Sequence, residues 1–105
     1  GEKSKHNPED LLVSSISACH MLWYLHLCSD HGIVVLQYDD HAEGHMIVEK
    51  EGSGRFENIT LSPTVVVSPE SSTELAEKLH EKAHKMCFLA NSCNFKIACK
   101  PVVKI

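Results

Sequence analysis

Two residue types in this chain carry chemistry beyond packing: five cysteines, at positions 19, 28, 87, 93 and 99, and eight histidines. Thiols attack electrophiles, form disulfides and ligate metals, while neutral imidazoles ligate metals and move protons. The cysteines are odd in number and contain no CxxC pair, which argues against a secreted disulfide framework and against a zinc ribbon. What remains for each is a reactive thiol or a small buried apolar residue. A redox thiol must be largely ionised, and once oxidised to a sulfenic acid it needs a second thiol within reach before it over-oxidises. Each candidate therefore depends on the element that holds it.

The first element opens at Asn7-Pro8-Glu9-Asp10. Asn can cap a helix, Pro suits its first position, and the two acids sit at the positive end of the macrodipole. Leu11, Leu12, Ser15, Ile16, Cys19, Leu22, Trp23, His26 and Leu27 then recur at helical spacing, predicting one long helix to about His31, stopped by Gly32. Cys19 falls in the middle of that predicted buried stripe. Ser14, Ser15, Ser17, Ala18 and His20 leave room and polarity around it, so it reads either as a core cysteine or as a reactive one.

Residues 33–50 alternate, with Val34, Leu36, Tyr38, Ala42, Met46 and Val48 on one face and Gln37, Asp39, His41, Glu43, His45 and Glu49 on the other, predicting a long half-buried strand. Glu51-Gly52-Ser53-Gly54 supplies turn residues, and Ile59, Leu61, Val65 and Val67 share a face of a second strand, so a hairpin is the economical reading. Ser71-Ser72-Thr73-Glu74 has the cap-then-acid pattern of a helix start, and Leu75, Leu79, Ala83 and Met86 give that helix an apolar stripe ending near Cys87. The stretch from Cys87 to Cys93 is a short mixed junction whose backbone can move, which suits a thiol that resolves another. Phe95, Ile97, Cys99, Val103 and Ile105 alternate with lysines in a closing strand, which makes Cys99 a core residue. Cys28 lies off the main helical stripe and Cys93 lies in the junction; neither receives a role.

The order α-β-β-α-β predicts the α+β class, an antiparallel sheet packed with a long central helix and a second helix, in a single domain over residues 1–105. A net charge of −4 and a single arginine, Arg55, argue against a phosphate-binding surface, so nucleic acid is not an expected partner. No apolar run is read as approaching the roughly 20 residues of a membrane span, the N-terminal stretch lacks the apolar centre of a signal peptide, and the cytoplasm is the expected location.

The segment Asn7-Pro8-Glu9-Asp10-Leu11-Leu12 leading to Ser17-Ala18-Cys19, followed by Ala83-His84-Lys85-Met86-Cys87-Phe88-Leu89-Ala90-Asn91-Ser92, resembles the two signature regions of the OsmC/Ohr family, in the right order. The resemblance spans most of the chain from Asn7 onward. It implies a thiol-dependent peroxidase acting on organic hydroperoxides, built as an intertwined homodimer with both sites at the subunit interface, regenerated by an external dithiol and needing no cofactor and no metal. By position it implies that Cys19 is the peroxidatic cysteine, Cys87 the resolving cysteine, and Glu9 the acid that orients a catalytic arginine in the Ohr branch. From the residues alone, Glu9 is a favourable charge in a first helical turn. The family's arginine lies in a β-rich segment ahead of this motif that Gly1 to His6 does not supply, so the chain is expected to be N-terminally incomplete. Phe88, where a proline often follows the second cysteine, implies a branch distinct from the best-characterised peroxidases.

Two other readings compete. His80, His84 and Cys87 stand at i, i+4 and i+7 on one helical face, where they could hold zinc. His41 and His45 share a strand face with Asp39 and Glu43, which reads as solvated surface. A third reading is an OsmC-fold binding or assembly domain with idle cysteines.

Overall fold

The computed structural model describes residues 7–105; Gly1 to His6, where the family's β-rich segment is expected to be missing, lie outside the described residues. Helix α1 (Pro8–Asp30) starts as predicted, with the Asn7 side chain accepting a hydrogen bond from the Asp10 N–H at 2.8 Å and Pro8 in the first turn. It ends in a Schellman arrangement: the Ile33 N–H donates to the Cys28 carbonyl at 2.8 Å while Gly32 takes φ +73°, which only glycine adopts cheaply.

The strands follow as β1 (Val35–Asp40), β2 (Glu43–Val48), β3 (Gly54–Leu61) and β4 (Pro63–Val67), then α2 (Thr73–Met86), α3 (Phe88–Asn91), β5 (Lys96–Cys99) and β6 (Val102–Lys104). They form two three-stranded sheets, β1-β4-β6 and β2-β3-β5. The α+β class stands, but each of the three predicted strands is broken in two, and the sheets are mixed rather than purely antiparallel. β1 and β2 pair antiparallel with β4 and β3, whereas β5 and β6 run parallel to β3 and β4.

The pairing keeps one register across the break. Asp40 faces Pro63 and Glu43 faces Thr60, so the predicted hairpin exists as a single long ribbon, turned at Gly52 with φ +103°. The third arm keeps step as well: Leu61 faces Cys99 and Thr64 faces Val102, and Lys100 N–H donates to the Leu61 carbonyl at 2.8 Å across the gap. The two sheets are halves of one ribbon bent at His41-Ala42, Ser62 and Lys100-Pro101.

Asp40 makes the bend. One carboxylate oxygen accepts from the Ser62 N–H at 2.7 Å, replacing a ladder bond, and the other accepts from the Ser17 hydroxyl, tying the bend to α1. Asp40→Ala strands both donors in a half-buried place and is expected to lower unfolding stability by about 1–3 kcal/mol, read from urea denaturation at fixed protein concentration.

α1 spans both halves. Its first turns pack Leu12, Val13 and Ile16 on Ile59, Leu61 and Ile97, and its last turns pack Tyr24, Leu27 and Cys28 on Val65, Val67 and the α2 residues Ala76, Leu79 and Ala83. The buried face is not the predicted stripe: Ile16, His20, Tyr24, Leu27 and Cys28 point inward, while Leu11 and Leu22 are 51% and 64% exposed. Apolar residues occupy several sides of α1, so spacing alone selects no face; Tyr24 and His20 face inward because polar partners await them there. For the same reason the expectation about membrane-length segments is corrected. α1 has 23 residues, and its most apolar 18-residue window has a mean hydropathy of 1.4, long and apolar enough by composition to cross a membrane. Of that window 28% is buried, on the face that packs against α2 and both sheets.

The radius of gyration is 15.4 Å with extents of 54 × 28 × 17 Å, more drawn out than the ~13 Å of a compact domain this size.

Candidate functional site

Cys19 lies midway along α1 and is half-buried; Cys87 is the residue at which α2 ends and α3 begins. Its φ of −70° and ψ of 109° break the helical path, so the chain turns there as the mixed sequence of the junction predicts. The junction does not leave the thiol accessible: Cys87 is 1% exposed. Packing of α2 and α3 against α1 brings it close enough to Cys19 for the two side chains to influence each other, and both are free thiols. Burial, then the neighbouring Cys19 thiol, push Cys87 up to about 11, against backbone N–H groups of Ala90 and Leu89 that pull it down. At neutral pH Cys87 is therefore a protonated thiol beside a more accessible one.

One helical turn past Cys19, Leu22, Trp23 and His26 line an apolar cleft of about 270 Å³, and the Trp23 ring meets Phe88, the neighbour of Cys87, edge-on at 6.1 Å. The surface beside the thiol pair is thus apolar and aromatic.

Glu9 is not part of this arrangement within the chain. Ten residues of helix separate it from Cys19, about 15 Å along the axis. It is exposed and lines another cleft with Met46, Arg55 and Phe56, while Arg55 lies 3.9 Å from Glu49.

The predicted metal trio is not what the fold gathers. Among the described residues, the histidine and cysteine side chains whose ligand atoms all lie within 4.8 Å of one another are His20, His80 and Cys99, not His80, His84 and Cys87. Sequence reading missed His20 because the predicted stripe put it off the buried face; its signal, a histidine one position after Cys19, is weak by itself. His20 and His80 are 1% and 2% exposed. The rings of Tyr24 and His80 stack at 3.7 Å, and the Tyr24 hydroxyl donates to the Ala76 carbonyl at 2.8 Å. Desolvation holds both imidazoles low, His20 at about 4 with His84 adding to the effect and Asp40 opposing it, and His80 at about 3 with His20 adding.

The remaining cysteines are packed. Cys28, expected off the main stripe, is buried, and burial raises its pKa, while Cys93 Sγ donates to the Leu89 carbonyl at 3.3 Å. Cys99 packs on the core as predicted but is half-buried, and burial followed by the nearby Asp40 carboxylate pushes it up to about 12.

The family of OsmC-like proteins matches residues 1–101. An OsmC-like protein of unknown function from Vibrio cholerae is 30% identical, with a TM-score of 0.87 over 96% of this chain and 67% of that one. An OsmC-like protein from Mycoplasma pneumoniae is 18% identical, with a TM-score of 0.80 over 100% of this chain and 79% of that one. An organic hydroperoxide resistance protein from Elizabethkingia anophelis is 24% identical, with a TM-score of 0.73 over 99% of this chain and 71% of that one. No curated protein matches the sequence. With the family match over nearly the whole chain and the same fold in these structures, the chain belongs to the OsmC-like family.

Proposed function

We propose that this protein reduces organic hydroperoxides through a two-cysteine cycle in which Cys19 is the nucleophile and Cys87 the resolving thiol. The observation that carries the reading is the meeting of these two thiols from distant parts of the chain, one half-buried and the other covered. Accessibility assigns the roles. A hydroperoxide can reach Cys19, whereas Cys87 is covered and protonated, a poor first attacker.

The Cys19 thiolate attacks the terminal oxygen of R–O–OH; an S–O bond forms, the O–O bond breaks, and the alcohol leaves with a proton. Cys87 then attacks the Cys19 sulfenic acid. An S–S bond forms, the S–O bond breaks, and the Cys87 proton leaves in water. An external dithiol returns both cysteines to thiols by two exchange steps. The cleft beside Leu22 and Trp23 favours an alkyl or aryl R group over hydrogen peroxide.

The working unit in this reading is a homodimer. Leu11, Val34, Leu36 and Val48 are each more than half exposed on a drawn-out chain, and a second copy is the economical cover for them. Glu9 has a place in the chemistry only where that second copy brings it to the other chain's thiol. Five free cysteines fit the reducing cytoplasm. The test is a steady-state assay in which cumene hydroperoxide oxidises a dithiol such as dihydrolipoamide. Turnover above that with hydrogen peroxide supports the reading, and a rate equal to the protein-free blank removes it.

A further inference from the structure

A second group of side chains has no part in the thiol cycle. His20 comes from α1, His80 from α2 and Cys99 from β5, and they meet at one point. His20 Nε2 lies 3.0 Å from His80 Nδ1 and 3.7 Å from Cys99 Sγ. Two groups thus converge on a single nitrogen that carries either one proton or one lone pair. A hydrogen bond satisfies one of them. Meanwhile His80 Nε2 is buried without a partner, although His80 is 2% exposed, and so is Nδ1 of His84 one turn along α2. Neither of these two nitrogens is among the three converging atoms, since His80 meets His20 through Nδ1.

We propose that His20, His80 and Cys99 form a binding site for a thiophilic divalent d-block cation, with zinc as the reference ion. The donor types match, since zinc takes imidazole nitrogen and thiolate sulfur in sets of three or four. The spacing matches as well. Bonds of about 2.0 Å to nitrogen and 2.3 Å to sulfur in a tetrahedron put the two nitrogens about 3.3 Å apart and nitrogen and sulfur about 3.5 Å apart. The observed 3.0 Å and 3.7 Å reach those values with shifts of a few tenths of an ångström, while the third pair, His80 to Cys99, lies within 4.8 Å and closes further around the ion. Both imidazoles are buried and Cys99 is half-buried beside them, so the three donors meet largely out of solvent. Binding displaces the Cys99 thiol proton to solvent, with no change of oxidation state.

The fourth position is open to a cleft of about 300 Å³ whose walls include His80, His84, Cys99, Glu77 and Glu81. Water or a carboxylate from that wall completes the coordination, and the same opening is the route by which the ion enters.

The experiment uses the reduced, chelator-treated full chain carrying Cys19→Ser and Cys87→Ser, so that the thiol pair cannot ligate. Cobalt(II) is titrated first. One equivalent is expected to give the near-ultraviolet sulfur-to-cobalt band and the strong visible bands of a tetrahedral site, displaced by one equivalent of zinc. Adding Cys99→Ser removes the sulfur band and weakens zinc at least 100-fold, about the upper end of what even outer-shell partners contribute. A folded protein that shows no sulfur band, or one that keeps it after Cys99→Ser, overturns the site. Alkylation mapping of the wild-type chain decides independently of how the variants fold: saturating zinc slows iodoacetamide labelling of Cys99 and leaves Cys93 unchanged. Equal Cys99 labelling with and without zinc overturns the proposal.

Discussion

Replacing Cys19 by serine abolishes steady-state reduction of cumene hydroperoxide, with a loss of at least about 1,000-fold, or roughly 4 kcal/mol of barrier. Serine keeps the size of the side chain and the half-buried pocket but has no thiolate, and no other cysteine can replace it. Cys28 is buried, Cys93 bonds its own helical turn, and Cys99 has its proton held by burial and the Asp40 carboxylate. Cys87 is covered and raised to about 11. Cys87→Ser gives a different outcome, because the nucleophile survives. One equivalent of alcohol appears in a burst, turnover then stops, and the Cys19 sulfenic acid advances to sulfinic acid as hydroperoxide is added. Steady-state rates with burst amplitudes, followed by peptide masses, separate the two variants. Equal residual turnover in both would leave the cycle without its assigned order.

The second large effect lies in the core. Tyr24 is fully buried, stacks on His80 at 3.7 Å and donates to the Ala76 carbonyl. It joins α1 to α2, and α2 ends on Cys87. Tyr24→Ala removes the ring and leaves a cavity between two helices, with an expected cost of about 3–5 kcal/mol. Tyr24→Phe keeps the ring and deletes one hydrogen bond, at about 1 kcal/mol. Urea unfolding at one protein concentration measures both, and for a domain of this size the difference between them is a melting-temperature gap on the order of 10 °C or more. A Phe variant as damaged as the Ala variant would move the weight from ring packing to the hydroxyl.

What the sequence shows plainly is what depends on neighbours along the chain. The Asn7 cap, the Gly32 stop, the Ser72 cap and the Gly52 turn are local hydrogen-bond and φ problems, and each was readable where it stands. The hairpin was readable from alternation, but its register was not: it shifts between Val35 and Gln37 and between His45 and Met46, and Val34, Leu36, Met46 and Val48, expected on the buried face, are exposed. Its bend was not readable either, because the device that makes it is a carboxylate on β1 reaching Ser62 and Ser17, both far away in sequence. Nor could the inner face of α1 be read, since apolar residues lie on several sides of it and the choice was made by His80 and Ala76 on another helix. The parallel strands β5 and β6 have no local signal of direction; the crossover through α2 and α3 sets it.

The site divides in the same way. Residue by residue, Cys19 and Cys87 were ambiguous, and the resemblance to the family paired them. In the fold Cys87 is buried at the end of α2 with Cys19 among the groups that raise its pKa. Glu9 had the same warrant by position but lies too far along its own helix to join them in one chain. His20 and Cys99 were invisible as a pair, because nothing in either segment refers to the other until the sheet and α1 pack together.

The most direct test is peptide mass spectrometry of the reduced wild-type chain after one equivalent of cumene hydroperoxide. The two-cysteine account predicts prompt loss of two hydrogens, mapped to a Cys19–Cys87 disulfide that a dithiol reverses. Free thiols at both positions after the hydroperoxide has been added, or a disulfide joining other cysteines, would contradict it.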